Sequence, residues 1–258
     1  MNKLAKLARD IQSKDILWTD EYLGRTPFHS GYWARTRIDH AIASHANLAH
    51  GVLLDVGCGV KPYEKIFRPY VENYFGLEYS PQSGYRGNKA DFCGDAAFLP
   101  VADESVDTIL CTEVMEHVPN PEKTIEEFAR VLRPGGTIIT TAPFVYPIHD
   151  AYDFFRYTPD GLAAIMKRYE LEIEEIKPLS GTAVTLAMIF NAYWFGIGFI
   201  WTKWLYPFSL ILRPLLWLLC FVVNLLGGLF EILLPSEHLS FNHLTVARKA
   251  HKHIRKPV

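Results

Sequence analysis

Two glycines and a glutamate have the spacing of a nucleotide-binding site. The apolar run that begins at Val52 contains Asp55 and then turns on Gly57 and Gly59. Glycines adopt backbone angles closed to other residues, and without Cβ atoms they let a ligand approach the main chain. Glu78 follows Gly59 by 19 residues. At that distance an acidic residue at the tip of a second strand reaches the two hydroxyls of a bound ribose.

Titratable and aromatic side chains are concentrated in the loop 143–158. The candidate catalytic residues lie here: His149, Asp153, Arg156 and Tyr157. His149 is a candidate general base that Asp150 or Asp153 would orient, Arg156 could clamp an anionic substrate, and Tyr157 could close the pocket. The alternative is a packed, hydrogen-bonded cover with no catalytic group. We predict no metal, because the loop offers only three ligands.

The composition favours a near-neutral enzyme. The 258 residues carry a formal net charge of −2, so no basic excess exists to neutralise the phosphates of a nucleic acid. The four cysteines form no CxxC pair and are too few for a disulfide scaffold. A reduced, cytosolic compartment fits this usage.

Strands and helices alternate along the middle of the chain. The pattern predicts strands at 52–56, 74–77, 107–111 and 137–141, and helices near 62–68 and from Asn120-Pro121 to the corner Pro134-Gly135-Gly136. A further helix opens at Thr158-Pro159, and a strand follows from Leu171. This alternation predicts a parallel, doubly wound α/β sheet with its site at the carboxyl ends of the strands.

Five motifs in this order carry a family resemblance. They are Leu54-Asp55-Val56-Gly57-Cys58-Gly59, Glu78, Gly94-Asp95 with Leu99-Pro100, Glu116-His117-Val118 and the run from Arg130 to Gly136. Together they resemble a class I S-adenosylmethionine-dependent methyltransferase over about residues 50–180 and a terminal strand. The resemblance implies a Rossmann-like, mostly parallel seven-stranded sheet whose last strand is antiparallel, with S-adenosylmethionine as the cofactor.

The resemblance also implies roles for single residues. The loop 57–59, including Cys58, would hold the methionine half of the cofactor, Glu78 the ribose, and Asp95 with Ala96 the adenine edge. Asp55 would orient the loop and the amino end of the cofactor, and Glu113 belongs to the same cofactor set. The sequence departs from the dinucleotide fingerprint at Lys61-Pro62, where a third small residue might be expected. This cofactor has no pyrophosphate that needs that residue.

The chain divides into five predicted segments. These are a helical cap at 1–50, the cofactor-binding core at 51–180, an apolar helical insert at 181–237, the last core strand at 238–250 and a basic tail at 251–258. The insert separates the final two strands, so the fold has a helical apolar insertion before its last strand.

The insert has the composition of a membrane-associating segment. No charged residue occurs from 179 to 202 or from 214 to 230. The first run is about 20 residues, long enough to cross a bilayer, and the second is marginal. Lys203 and Arg213 would lie in the far loop of a spanning hairpin, against the positive-inside tendency. An insert embedded from the cytosolic side is therefore favoured over a spanning hairpin, and a soluble helical subdomain or dimer interface is the third alternative.

These features lead to a functional hypothesis. We expect a methyltransferase at the cytoplasmic face of the membrane, acting on a lipid-linked or amphipathic acceptor and contacting membrane lipids. O-methylation in cell-surface polysaccharide or lipid biosynthesis is the first expectation, and a quinone-type ring is the second. A non-catalytic cofactor-binding membrane scaffold and a soluble enzyme with a dimer core are the rivals. Nucleic acid is not an expected partner, and homo-oligomerisation is left open.

Overall fold

The computed structural model describes residues 23–80, 89–148, 152–204 and 209–251, with side chains described throughout except at 196–204 and 209–211. The chain splits into two compact units. The sheet unit comprises Ile38–Leu179 and the chain from Phe241 onward, and the helical unit comprises the residues up to Arg37 and Ser180–Ser240. The first 22 residues of the predicted cap, and the tail after His251, lie outside the described residues.

The sheet unit contains seven strands. They are β1 (Val52–Val56), β2 (Asn73–Glu78), β3 (Phe92–Cys93), β4 (Val106–Thr112), β5 (Leu132–Pro143), β6 (Leu171–Pro178) and β7 (Asn242–Lys249), in the spatial order β3-β2-β1-β4-β5-β7-β6. The pairs among β1 to β5 are parallel, and β7 is antiparallel to both β5 and β6. The prediction of a Rossmann-like sheet with an apolar helical insertion before its last strand is confirmed.

Helices connect these strands. The described ones are α1 (Tyr32–His45), α2 (Glu64–Phe67), α3 (Pro121–Val131) and α4 (Pro159–Lys167), with 3₁₀ turns at Ala46–Leu48 and Met115–His117. Asn120 caps α3 by accepting from the backbone N–H of Lys123 at 3.1 Å, and Thr158 caps α4 in the same way. Ile125 and Phe128 of α3 are fully buried in the core against the sheet.

Two element boundaries differ from the sequence-based expectation. The corner Pro134-Gly135-Gly136 was expected to end helix α3, but the helix ends at Val131 and β5 begins at once with Leu132. The reason is that β5 starts to pair opposite Val106, before a register shift between Val106 and Thr108 absorbs the corner within the strand.

The helical unit contains two long apolar helices, α5 (Thr182–Trp204) and α6 (Ser209–Leu233). Among the residues whose side chains are described, one helix, Leu212–Leu233, is long and apolar enough to cross a membrane, and of α5 this comparison includes only Thr182–Phe195. Pro214 lies inside α6 instead of ending it, so the second run is continuous.

Candidate functional site

The turn after β1 holds its two glycines in the left-handed region. Gly57 has φ +72° and Gly59 has φ +50°, and the backbone N–H of Gly57 donates to the Leu77 carbonyl at 2.8 Å. A Cβ at Gly57 would come within 2.3 Å of Val114 Cγ2, whereas one at Gly59 would meet no atom of the described residues within 4 Å. Gly57 therefore lets β1 and the segment after β4 pack closely, and Gly59 leaves open space for a ligand.

Glu78 lies at the glycine turn, as its sequence spacing predicted. Its Oε2 accepts the backbone N–H of Gly59 at 3.0 Å, and its Oε1 accepts the N–H of Tyr79 at 2.9 Å. The carboxylate is partly exposed at the end of β2. Two oxygens held at this edge suit the paired hydroxyls of a ribose, although the cofactor role itself stays a prediction.

Asp55 is buried in the middle of the sheet. Its Oδ2 accepts a hydrogen bond from the Tyr74 hydroxyl at 2.5 Å. Burial raises the pKa of the Asp55 carboxyl to about 7, against lowering by the Tyr74 hydrogen bond and the Lys61 charge. A carboxyl that titrates near neutrality can become fully ionised when a cation such as the ammonium of an amino acid binds beside it.

Lys61 explains the departure from the dinucleotide fingerprint. It takes the left-handed conformation itself, at φ +54°, and its Nζ lies 2.5 Å from Asp91 Oδ2. The same Asp91 oxygen accepts the backbone N–H of Gly76 at 2.7 Å. A Cβ at Gly76 would come within 2.5 Å of both Lys61 Cε and Cys58 Sγ. The small residue that this site requires is therefore Gly76 in β2, not a third glycine in the turn.

Cys58 contributes backbone and packing rather than a thiolate. The side chain is buried, and burial together with the nearby Asp55 carboxyl raises the pKa of the thiol to about 12. The backbone N–H of Cys58 donates to the Leu77 carbonyl at 3.1 Å. Its thiol is therefore neutral at physiological pH, unsuited to nucleophilic chemistry.

Asp95 and Ala96 lie beside the end of β2. The backbone N–H of Gly94 donates to the Glu78 carbonyl at 3.0 Å, and Asp95 Oδ1 accepts the N–H of Ala97 at 2.8 Å. The following turn is held from α3 by Arg130, which donates to the Leu99 carbonyl at 3.0 Å. Asp95 and Ala96 are thereby fixed within the same edge of the sheet as Glu78.

Glu113 follows directly after β4 and has φ +54°. Its carboxylate accepts hydrogen bonds from Thr141 Oγ1 at 2.7 Å and from Asn242 Nδ2 at 2.7 and 2.8 Å. The sequence singled out neither Thr141 nor Asn242. Only the register of β5 and β7 brings them to Glu113, and no local spacing signals it.

Arg156 is tied into its own loop. It pairs with both carboxylate oxygens of Asp153, whose side chain is 1% exposed. It also donates to the carbonyls of Tyr146 and Pro147, each at 3.0 Å, and of Phe155 at 2.7 Å. These contacts use all five guanidinium N–H groups. Clamping an anionic substrate, as the sequence predicts, would require exchanging one of them.

The loop after β5 is pinned to the 3₁₀ turn Met115–His117. The buried Tyr157 hydroxyl donates to the Met115 carbonyl at 2.9 Å, and the backbone N–H of Phe154 donates to the Glu116 carbonyl at 2.8 Å. Burial and the nearby Glu116 carboxyl raise the pKa of Tyr157. The proposed base His149 and its neighbour Asp150 lie outside the described residues. The catalytic roles of this loop stay predictions.

Glu116 is a second carboxyl beneath this loop. It is completely buried, and burial followed by the charge of Glu113 raises the pKa of its carboxyl well above the usual range. Glu116 is therefore neutral at physiological pH. The sequence marked Glu116 as part of a family motif but gave it no role, because nothing in the sequence reports that a motif carboxyl is buried.

Comparison with known proteins agrees with this geometry. A family described as a methyltransferase domain matches residues 54–140. Residues 54–140 are thus similar to a methyltransferase domain. An uncharacterized methyltransferase of Mycobacterium ulcerans (strain Agy99) is 36% identical over 100 residues, which cover 36% of this chain and 39% of that protein. One of Mycobacterium leprae (strain TN) is 35% identical over 95 residues. The chain thus spans about two fifths of the length of the relatives it matches.

Solved structures share the fold of this methyltransferase domain. The [4+2]-cyclase SpnF has a TM-score of 0.54 at 21% identity, covering 83% of this chain and 80% of its own. The complex of a Haloferax volcanii Trm112 methyltransferase activator with a putative methyltransferase gives 0.53 at 19% identity, covering 97% and 99%. At the level of this domain, the predictions of a methyltransferase and of S-adenosylmethionine as its cofactor are confirmed.

Proposed function

We propose that the whole protein is an S-adenosylmethionine-dependent methyltransferase that acts at the cytoplasmic face of a membrane on a lipid-linked or amphipathic acceptor. O-methylation in cell-surface polysaccharide or lipid biosynthesis is the reaction we favour. The carrying observation is the contact between Glu78 and the turn at Gly59, which forms an open cradle at the carboxyl edge of the sheet. S-adenosylmethionine supplies an electrophilic methyl group when it is bound.

The residues present fit this cofactor. Among the described residues, the space above Gly59 is free for a ligand to approach the main chain, and Glu78, which we assign to the ribose hydroxyls, lies beside it. Asp55 offers a carboxyl that an ammonium group can ionise. Asp95 and Ala96, which we assign to the adenine, follow β3 next to the Gly94 N–H bond to the Glu78 carbonyl. S-adenosylmethionine has no pyrophosphate. The small residue that a pyrophosphate site would need at the position of Lys61 is therefore not required.

The outer face of α6 supports the membrane part of the proposal. Leu212–Leu233 has a mean hydropathy of 2.2, and 17% of its most apolar stretch is buried. Large apolar side chains are exposed along one side of the helix: Leu215, Leu218, Leu219, Val222, Leu225, Leu226, Leu229, Phe230 and Leu233. A continuous apolar face of this size is costly in water and is typical of a surface that meets lipid or another protein.

The polar groups of α6 face the opposite way. Asn224 is fully buried; its Oδ1 accepts from Asn191 Nδ2 at 3.0 Å, and its Nδ2 donates to the Pro27 carbonyl at 2.8 Å. A Cβ at Gly227 would come within 2.6 Å of Ala187 Cβ, so the two helices pack closely there. Polar side chains bonded to each other inside and apolar ones outside form the arrangement expected of helices embedded in lipid.

The base of the helix pair is polar. Arg37 pairs with Glu231 at 2.9 Å, and the other Glu231 oxygen accepts the backbone N–H of Gly181 at 2.9 Å. Thr182 and Ser236 bond to each other through their hydroxyls at 2.9 Å. The chain leaves β6 and returns to β7 at this end. Polar at its base and apolar along its length, the pair supports insertion from the cytosolic side.

Vesicle flotation tests the membrane proposal. The double variant Leu225→Glu and Leu229→Glu places two charges on the exposed face of α6. We expect the wild type to float with vesicles of phosphatidylethanolamine and phosphatidylglycerol and the variant to float much less, because charges resist burial in lipid. Tyr70→Glu, an exposed aromatic of the sheet unit, is the matched control and should float normally. Equal flotation of the double variant would count against the proposal.

The acceptor is tested by comparing lipid extracts. Cells with the protein should contain a lipid-linked species heavier by one methylene than its counterpart in cells without the protein. A change confined to quinones would favour the second acceptor class. The rival hypothesis, a non-catalytic membrane scaffold that binds the cofactor, is also testable. It needs a test because the fold does not by itself decide the reaction. Retained cofactor binding with no methylated product and copurifying partner proteins would favour it.

A further inference from the structure

Three strand ends converge on one carboxylate in the sheet unit. Glu113 follows β4, Thr141 is near the end of β5, and Asn242 begins β7. The register pairs Thr112 with Thr141 across β4 and β5, and Asn242 with Pro143 across β5 and β7. Hydrogen bonds of 2.7, 2.7 and 2.8 Å then fix both carboxylate oxygens of Glu113. A carboxylate held by three hydrogen bonds from two side chains is oriented before any substrate arrives.

This carboxylate lies beside the cofactor turn. Val56 pairs with Cys111 across β1 and β4, so the segments after the two strands emerge side by side. Val114, the neighbour of Glu113, packs so closely on the glycine turn that a Cβ at Gly57 would overlap it. Glu113 is partly exposed at this edge. Glu113 therefore lies at the same edge of the sheet as the glycine turn.

Two neighbouring carboxyls of this segment differ in their surroundings. Glu113 is partly exposed and accepts hydrogen bonds from Thr141 and Asn242. Glu116, the nearest buried carboxyl of the same segment, is neutral because burial and the charge of Glu113 raise its pKa. Of these two carboxyls, Glu113 is therefore the candidate proton acceptor.

We propose that Glu113 binds the hydroxyl of the methyl acceptor and takes up its proton, with Thr141 and Asn242 as positioning residues. This inference rests on the proposed methyltransferase function, and it replaces the cofactor-binding role that the resemblance implied for Glu113 with a role toward the acceptor. It narrows the acceptor to an alcohol, such as a sugar hydroxyl. An alcohol loses its proton only with a base at hand, whereas an acidic phenol or an activated carbon does not need one.

The step balances as a displacement. A lone pair of the acceptor oxygen forms the new bond to the methyl carbon, and the carbon–sulfur bond breaks with its electron pair passing to the sulfonium sulfur, which becomes a neutral thioether. The hydroxyl proton passes to the Glu113 carboxylate and leaves from there to water. Thr141 and Asn242 hold the carboxylate in line while its charge changes.

The test combines cofactor affinity with methyl transfer. Full-length wild type, Glu113→Gln, Glu113→Ala and Thr141→Val are compared in membranes, using labelled S-adenosylmethionine and a total lipid extract as the acceptor source. Calorimetry with S-adenosylhomocysteine on detergent-solubilised protein measures the cofactor site independently. Glu126→Gln, an exposed carboxylate of α3, is the matched control. We expect Glu113→Gln to slow label transfer by roughly 100-fold, the lower end of the effect of losing a general base, with unchanged calorimetric affinity.

Two further readouts separate a base from a structural residue. Formate should restore part of the activity of Glu113→Ala, because a small carboxylate can occupy the space and accept the proton. Thr141→Val, which removes one donor and keeps the shape, should slow transfer by about 10-fold, the equivalent of one hydrogen bond. Transfer by Glu113→Gln at the wild-type rate, or loss of S-adenosylhomocysteine binding in that variant, would overturn the assignment. Absence of transfer by the wild type would overturn the proposed function itself.

Discussion

Glu78 Oε2 accepts the backbone N–H of Gly59 at 3.0 Å, across a sequence separation of 19 residues. This bond joins the ends of two adjacent parallel strands, β1 and β2, and it closes one side of the space above Gly59. The same carboxylate also accepts the backbone N–H of Tyr79. The pairing explains how a turn and a distant acidic residue act as one binding element.

Replacement of Glu78 should weaken cofactor binding. We expect Glu78→Ala to lower the affinity for S-adenosylmethionine by roughly 10- to 100-fold, since it removes charge-assisted hydrogen bonds to the ribose. Glu72→Ala is the matched control, because Glu72 is exposed just before the opposite end of the same strand. Isothermal calorimetry measures both. Equal affinities for the two variants would contradict the ribose role of Glu78.

The two glycines of the turn should respond differently to the same substitution. Gly57→Ala should lower the free energy of unfolding by about 1 to 3 kcal/mol, because its Cβ would overlap Val114. Gly59→Ala should cost only about 1 to 2 kcal/mol of backbone strain. It should nevertheless weaken cofactor binding, because the added methyl group fills the space that the ligand would use. Val114→Ala in the Gly57→Ala background should restore part of the lost stability. Denaturant unfolding and calorimetry on each variant check this, and equal behaviour of the two glycines would refute it.

Asp55 should make stability depend on pH. The folded state raises the pKa of its carboxyl from 3.8 to about 7, so folding favours the neutral form. The contribution of Asp55 to stability is therefore greatest below pH 4 and falls as the pH rises toward 7. Asp55→Asn has no carboxyl to ionise at this position. From pH 4 to pH 7 the difference in unfolding free energy between the variant and the wild type should therefore shift by roughly 4 kcal/mol in favour of the variant.

The same variant tests whether the buried carboxyl of Asp55 contributes to cofactor binding. Asp55→Asn should bind S-adenosylmethionine more weakly, because it cannot pair with the amino group of the cofactor. Near pH 7, binding to the wild type should release protons, and calorimetry in buffers of different ionisation enthalpy detects them. A stability difference that stays flat from pH 4 to 7 would show that Asp55 is ionised throughout in the folded protein.

Asn224 should hold the helical unit together. Asn224→Ala removes the partner of Asn191 and leaves the carbonyls of Pro27 and His29 without its amide donor. A buried group that loses its partner costs about 1 to 3 kcal/mol. We expect faster tryptic cleavage after Arg25 and Arg35, while exposed Asn73→Ala in the sheet unit leaves the rate unchanged. An unchanged cleavage pattern in Asn224→Ala would show that the hydrogen bonds of Asn224 do not stabilise the helical unit.

Much of the sheet unit was predictable because its signals are local. A buried run such as Leu53–Val56 indicates a strand, and the capping residue Asn120 indicates the start of a helix. The spacing between Gly59 and Glu78 indicates that the two residues end neighbouring strands. The contacts of Glu113 were not predictable. They depend on the antiparallel register of β7, which returns to the sheet after the whole insert.

The apolar insert shows the limit of composition more clearly. Counting uncharged residues made the second run marginal in length, but helix α6 continues through Pro214 from Ser209 to Leu233. The buried charge state of Glu116 and the internal pairing of Arg156 are likewise properties of packing. Residue type suggested chemistry at both positions, and only the folded chain shows how each group is engaged.

Transfer of a labelled methyl group is the most direct test of the account. Membranes containing the wild type or Glu78→Ala are incubated with methyl-labelled S-adenosylmethionine and a total lipid extract, and the lipid-linked fraction is then counted. We predict label in a lipid-linked species with the wild type and little with the variant. Label that stays entirely outside the lipid-linked fraction, or that enters it equally with both proteins, would contradict the account.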